Sequence, residues 1–482
     1  MKEPDIHVVA SLFSQPINTK QAHVRLSREE VRSATHTLPE IRFEEHDLTS
    51  FSGLVILQAL SNGLQLRKML QDCVRHLSRS VSYGASTMLL ILITHSFLGW
   101  RRLRDLDYYR DDPLLKRFLG LRRVPDVSTL SRRLPQMDER VVTNMRKLIR
   151  SLVIERVKIN SPSRVTIDFD GSVISTKSRR TEGTAVGYNK KKGQRSYYPL
   201  FATVAQTGQV FDVLHRSGNV HDSNGALEFV KSCIAELRES GFRGRIETRM
   251  DGAHFSEQTC GWLEAEGVDF SISVPFERFP EVKGMIRERS RWNVIDDEWS
   301  CFELKWKPKK WASKMRCIIY RRLVRKPIQG PIQLDLFRPI EREWEYKMVI
   351  TNKTVSAKAV LHYHNGRGSQ EGIFAELKSQ GSLDYIPTRR EIGNRVYMLS
   401  CVIAHTLGRE MQMESRPPER RHTPTRACLW VFEKLDTIRK GVIQRAGRLT
   451  RPSGRLTLTM ASNERVAGEF ERLLRPWARR AA

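Results

Sequence analysis

With 482 residues the chain exceeds what one hydrophobic core organises, and about two to four domains are expected. Its net charge of +28, from 82 Lys plus Arg against 54 Asp plus Glu, is the footprint of a protein that neutralises phosphates, with a ribosome-like or membrane-surface protein as the bland alternative. Seven cysteines with no C-x-x-C pair argue against a disulfide framework and a zinc knuckle, and for a reducing compartment.

The start, MKEPDIHVVASLF, lacks a charged start followed by the long apolar core of a signal peptide, and residues 1–45 read as an irregular polar arm. From 46 to 160 apolar positions such as Leu54, Ile56, Leu57 and Leu60 recur at helical spacings, giving a helical region. Its most apolar run, Met88 to Leu98, is about half of the roughly 20 residues that span a bilayer, so it reads as a buried helix in a cytoplasmic protein without a membrane partner. In DVSTLSRRLPQM, Asp126 and Ser128 are candidate N-caps of a short helix carrying Arg132 and Arg133 and closed by Pro135. Such a helix fits a DNA groove, and equally a solvated packing face, because one arginine pair is a weak signal.

From 161 the texture turns to strands. Val165, Ile167 and Phe169 alternate with Thr166, Asp168 and Asp170 in VTIDFDGSVIST, the period of two that a half-buried strand requires. Asp168 and Asp170 therefore leave one face, about 7 Å apart at a rise of roughly 3.4 Å per residue. A polar loop from Lys177 to Ser196 follows, with Lys190, Lys191, Lys192 and Arg195. Tyr197–Ala205 and Val210–Leu214 flank a hairpin turn; a helix from about Ser223, capped by Asp222 or Ser223, runs to Glu239. IETRM then leads into Asp251, a helix starts at Ser256 and a strand at Phe270, the alternation of an α/β layer.

Residues 275–345 break that rhythm and read as a β-rich insertion holding five of the nine tryptophans (292, 299, 306, 311 and 344) among basic residues. Such rings can stack on unpaired bases or can simply be core. A strand at Tyr346–Thr351 and a helix from near Ser356 resume the layer. Residues 411–482 read as a basic helical region: Pro417, Pro418 and Pro424 mark a linker, a helix covers about 427–440, and the run ARR at 478–480 is a frayed tail suited to DNA backbone or to solvent.

The segment HYHNGRGSQEGIFAELKSQ carries the second cluster of chemistry. On one helix His364, Arg367, Glu371 and Lys378 cover an arc of about 60°, a carboxylate between cations that suits a metal-assisted phosphodiester site, or an exposed helix laced with ion pairs. Gly366 and Gly368 weaken that helix around Arg367.

Together DFDGSVIST, EGTAVGYNKKKGQRSYYPL, RMDGAHFSE and HNGRGSQEGIFAELK resemble the DDE transposases of bacterial insertion sequences, in the branch with a Tyr-Arg-Glu-Lys signature. The resemblance spans about residues 45–410. It implies an α/β chain with an RNase H-like mixed-sheet catalytic core at 161–274 and 346–410, interrupted by the β-rich insertion and flanked by helical DNA-binding regions. It implies Asp170, Asp251 and Glu371 as catalytic residues and ligands of two Mg2+ ions, replaceable by Mn2+, with Arg367 and Lys378 on DNA. His364 stands where the signature has Tyr and Tyr363 lies one residue earlier, so both are candidate DNA contacts. Asp168 is a supporting group, or a ligand in a shifted register. The implied activity is cut-and-paste excision at terminal inverted repeats with joining of 3′ ends to target DNA, by a homodimer on paired ends in the bacterial nucleoid. A DNA endonuclease and a non-catalytic DNA-binding relative are the alternatives.

Overall fold

The structure is a computed structural model that describes residues 27–34, 38, 40–77, 83–160, 163–187, 193–220, 224–324, 343–420 and 429–479. Its centre is a nine-stranded sheet: β1 (Arg164–Gly171), β2 (Leu200–Val204), β3 (Gln209–Leu214), β4 (Arg245–Met250), β5 (Asp269–Val274), β6 (Asn293–Val294), β7 (Trp299–Trp306), β8 (Met315–Val324) and β9 (Glu343–Thr351). The spatial order is β6-β7-β8-β9-β5-β4-β1-β2-β3. Within it β3, β2 and β1 are antiparallel neighbours, and β4 and β5 continue parallel to β1. That is the arrangement of an RNase H-like core, as the sequence led one to expect.

The predicted hairpin is present, with Val204 opposite Gln209. The long strand Val165–Thr176 is not: β1 stops at Gly171, and Ile174–Thr176 pairs instead with Arg195–Tyr197 in a separate three-stranded sheet. The insertion is β-rich as read, yet it is no separate body. Its strands β7 and β8 join β9 edge to edge, and β9 pairs with β5, so they extend the central sheet. Trp306 is buried, and Trp311 stacks on Phe255, with ring centroids 4.7 Å apart. Arg321 lies between the rings of Trp292 and Trp344.

Six helices matter for the site and its support: α1 (Ala85–Phe97), α2 (Glu139–Asn160), α3 (Ala226–Glu239), α4 (Ala357–Asn365), α5 (Gly368–Ser379) and α6 (Glu391–Ser415). One face of the sheet packs Ile167 and Phe169 of β1 against Phe229, Val230 and Ile234 of α3 and Leu263 of the helix Glu257–Ala265. The opposite face, with Asp168 and Asp170, lies under α4, α5 and α6. The predicted α1 is entirely buried from Met88 to Phe97, and no helix among the described residues is long and apolar enough to cross a membrane. In α2, Val141, Met145, Leu148, Ile149 and Leu152 recur at spacings of three and four and are buried, each worth about 1.5–3 kcal/mol.

The helical regions before and after the core were expected as separate units, and here the structure differs. Residues of α1, α2 and α6 share one hydrophobic cluster with Ile438, Ile443, Phe470, Leu473 and Trp477 from the far end of the chain. Leu48–Thr49 pairs with Gly447–Thr450, which pairs in turn with Thr457–Met460. A further helix, α7 (Glu464–Arg479), closes this layer.

Several local expectations are also corrected. The arm contains a short helix, Arg28–Ala34. The helix Val127–Arg133 exists, but Asp126 makes no cap bond because its carboxylate takes Arg110 at 2.6 Å. Gly225, not Asp222 or Ser223, precedes α3; those two residues, Lys190–Lys192 and residue 480 lie outside the described residues. The helix foreseen at 427–440 shrinks to Leu435–Ile438, continued by a wide turn from Arg439 to Ile443 in which Arg439 donates to the carbonyls of Ser96 and Phe97.

Candidate active site

The parallel register of β1 and β4 sets Asp168 opposite Arg249 and Phe169 opposite Met250. The next step along both strands sets Asp170 beside Asp251, at the carboxyl ends where an α/β sheet opens its crevice. Asp170 Oδ1 accepts the Gly171 N–H at 2.8 Å, and its Oδ2 accepts Arg367 Nη1 at 2.7 Å. Asp251 heads the turn Gly252–His254, and its Oδ1 accepts both the Ala253 N–H at 3.1 Å and His254 Nδ1 at 2.9 Å. The side chains of Asp170 and Asp251 keep 18% and 32% of their exposure, enough for a small cation to reach them.

Their electrostatics differ. Burial and then the charge of Asp251 push the Asp170 carboxyl up to about 6, against the pull of Arg367. Burial acts on Asp251 in the same sense, but the hydrogen bond and charge of His254 outweigh it and hold that carboxyl below its usual value. One acid is thus firmly ionised while its neighbour is poised for a positive partner.

Behind this pair Asp168 is 1% exposed and spent on Arg249, whose Nε and Nη2 donate at 2.5 and 2.7 Å. It supports the strands and is not free to bind an ion. Arg249 also donates to the Tyr363 carbonyl at 3.0 Å, passing so close to α4 that a Cβ at Gly366 would lie 2.1 Å from Nη1. Glycine at 366 is the condition for that contact.

The signature segment is interrupted after Asn365. The helix read from near Ser356 is present, and Ser356 caps it, accepting from Ala359 N, but the run 364–378 is two helices, since α4 ends at Asn365 and α5 starts at Gly368. Arg367 sits between the two and reaches Asp170. His364 is 2% exposed, its Nδ1 on Ser271 Oγ and its Nε2 on Ser273 Oγ, both at 2.9 Å. Tyr363 also turns inward: its hydroxyl donates to the Thr248 carbonyl at 3.1 Å and Lys353 lies 4.4 Å over its ring. Both candidate DNA contacts are therefore seams joining α4 to β4 and β5, corrected by burial. Lys378 is half-buried in the last turn of α5.

Glu371, in the first turn of α5, is exposed, and it does not join the two aspartates: among the described residues no three His, Cys, Asp or Glu side chains stand as a metal-binding group. The expected triad is thus a pair plus one acid apart, with Arg367 supplying positive charge. Asp170 and Asp251, two adjacent, partly buried oxygen donors of like charge, fit a hard divalent cation. The residue that sequence reasoning passed over is His254, visible as the fourth residue of DGAHF but without a periodic or spacing signal.

Solved structures that this chain matches include the piggyBac transposase synaptic complex with hairpin DNA, at 14% identity and TM-score 0.41, covering 78% of each chain. The Mos1 transposase paired-end complex with left transposon end is 13% identical, TM-score 0.17, over 40% of this chain and 60% of that one. The Mos1 mariner paired end complex with Mn is 13% identical, TM-score 0.17, over 45% and 77%. No curated protein matches the sequence. Residues 35–480 match the family described as Transposase DDE domain group 1, and with nearly the whole sequence aligned the chain belongs to the DDE transposases.

Proposed function

We propose that this transposase excises a mobile DNA element by cutting phosphodiester bonds at its terminal inverted repeats and joins the 3′ ends to target DNA. The observation that carries the reading is the register of β1 and β4, which brings Asp170 beside Asp251 at the mouth of the sheet. Family membership and the charge of +28 support DNA as the substrate.

In this reading Asp170 and Asp251 hold divalent cations, Mg2+ or Mn2+, and Glu371, which stands apart from them here, is drawn in to complete the set. Ions held by these carboxylates would supply Lewis-acid activation of the attacking water or 3′ hydroxyl and charge stabilisation for the leaving oxygen. The chain's own groups do the rest. Arg367, released from Asp170, neutralises the phosphate beside the scissile bond, and Lys378 holds the DNA strand further along α5. Asp168, locked to Arg249, keeps β1 and β4 in register so that the two acids stay adjacent. The core spans 161–274 and 346–410, a homodimer pairs two ends, and the protein works on nucleoid DNA in a bacterial cytoplasm.

A supercoiled plasmid carrying the element's ends tests this, incubated with Mg2+ or with EDTA. Metal-dependent double-strand breaks and joined products are expected with the wild type alone, while Asp170→Asn, Asp251→Asn and Glu371→Gln still shift the end fragments on a gel. Breaks without joined products would make the protein an endonuclease, and cutting by any one variant would remove that residue from the site.

A further inference from the structure

Resting on that reading of Asp251 as a cation ligand, we infer that His254 is a positioning residue that decides which oxygen of Asp251 meets the cation. Two donors, the Ala253 N–H and His254 Nδ1, converge on Oδ1, and among the described residues none donates to Oδ2. An ionised carboxylate only accepts, so Nδ1 carries the ring's proton in this contact. His254 is 4% exposed, and its Nε2 is buried without a hydrogen-bond partner among the described residues. The ring thus has one polar contact that fixes it, and that contact is Asp251. A buried imidazole with an unmet nitrogen costs stability that a leucine would not, so its presence calls for a reason beyond packing.

The consequence is a division of labour within one carboxylate. Oδ1 is saturated from inside the protein, and Oδ2 is the oxygen left without a donor among the described residues. Partners of this kind orient a ligand and raise its affinity for metal, and their loss typically weakens binding about 10–100-fold.

Mn2+ binding by the full chain, measured by calorimetry at pH 8 without DNA, tests the inference. His254→Ala is expected to bind Mn2+ about 10–100-fold more weakly than the wild type. His254→Asn, whose amide can take the place of Nδ1–H, is expected to restore most of that loss, which a purely space-filling role would not allow. If the alanine variant does not fold, His254→Leu keeps the bulk and removes the donor. Unchanged affinity without the donor, or an asparagine variant as weak as alanine, overturns the inference. Asp251→Asn separates the two claims: if it binds Mn2+ like the wild type, the metal site itself is misassigned, whereas weak binding there with unchanged His254 variants removes His254 alone.

Discussion

At the scale of residues, the site is governed by one cation that is already there. Arg367 lies 2.7 Å from Asp170 and so competes with any ion for that carboxylate. At pH 8, well above the value of about 6 for Asp170, protons are no rival and the guanidinium is the main one. Arg367→Ala should therefore bind Mn2+ more tightly than the wild type in calorimetry without DNA, while cutting DNA more slowly; equal or weaker binding would show that Arg367 does not occupy the ion's place. The acids themselves were legible in the sequence. Period-two alternation placed Asp168 and Asp170 on one face, and a strand running into a turn placed Asp251. Their different fates were not legible, because whether an aspartate is spent on an arginine depends on the partner strand's register. His364 misled for a related reason: helical spacing reports the face of a residue, not what covers that face.

At the scale of elements, α5 carries Glu371 on its outer side and is anchored through Glu376 on its inner side. The Glu376 carboxylate takes Arg409 of α6 at 2.5 Å and the Leu435 N–H at 2.8 Å, while His405 Nε2 stands 3.7 Å away. Burial would raise this carboxyl, but His405 and Arg409 bring it down to about 2. A folded-state value below the unfolded one contributes stability that is complete above the unfolded value, near 4.5, and is lost as pH falls through about 2. Glu376→Gln should thus cost on the order of 3 kcal/mol in urea denaturation, equally at pH 8 and pH 6. A cost that changes across that range would show that another group carries the contact. The helices were largely readable from their apolar spacing. The break between α4 and α5 was not, nor the need for glycine at 366, which lies against the arginine of another strand, and neither was the shortened helix at Leu435, where Arg439 is drawn off to the end of α1.

At the scale of the molecule, three buried histidines set a limit on acid tolerance. Burial lowers His95 to about 4 and both His215 and His364 to about 3. All three stay neutral in the fold while the unfolded chain binds protons below about 6.5, so stability falls as pH drops through that window. Each adds a slope of about 1.4 kcal/mol per pH unit, together about 4 kcal/mol per pH unit, so one to two units below that window remove an amount comparable with the roughly 5–15 kcal/mol that holds a domain. Cooperative unfolding between about pH 5 and 4 is expected by circular dichroism at constant salt, and His364→Asn should lessen the slope; a flat stability from pH 7 to 4.5 would contradict this. The mixed sheet and its insertion were foreseen at this scale, whereas the union of the outer helical regions was not, because contacts between residues hundreds of positions apart leave no periodic trace.

That union sets an order of events during synthesis. A Cβ at Gly63 would lie 2.2 Å from the ring of Trp477, so the helix Leu54–Gly63 is shaped to receive α7. At about 5–20 residues per second, roughly 400 residues and some 20–80 s separate the two on the ribosome. Through that interval the early helices have a vacant berth where α7 belongs. Their apolar faces stay open to water until the last helix leaves the ribosome, so the layer closes only when synthesis is nearly over.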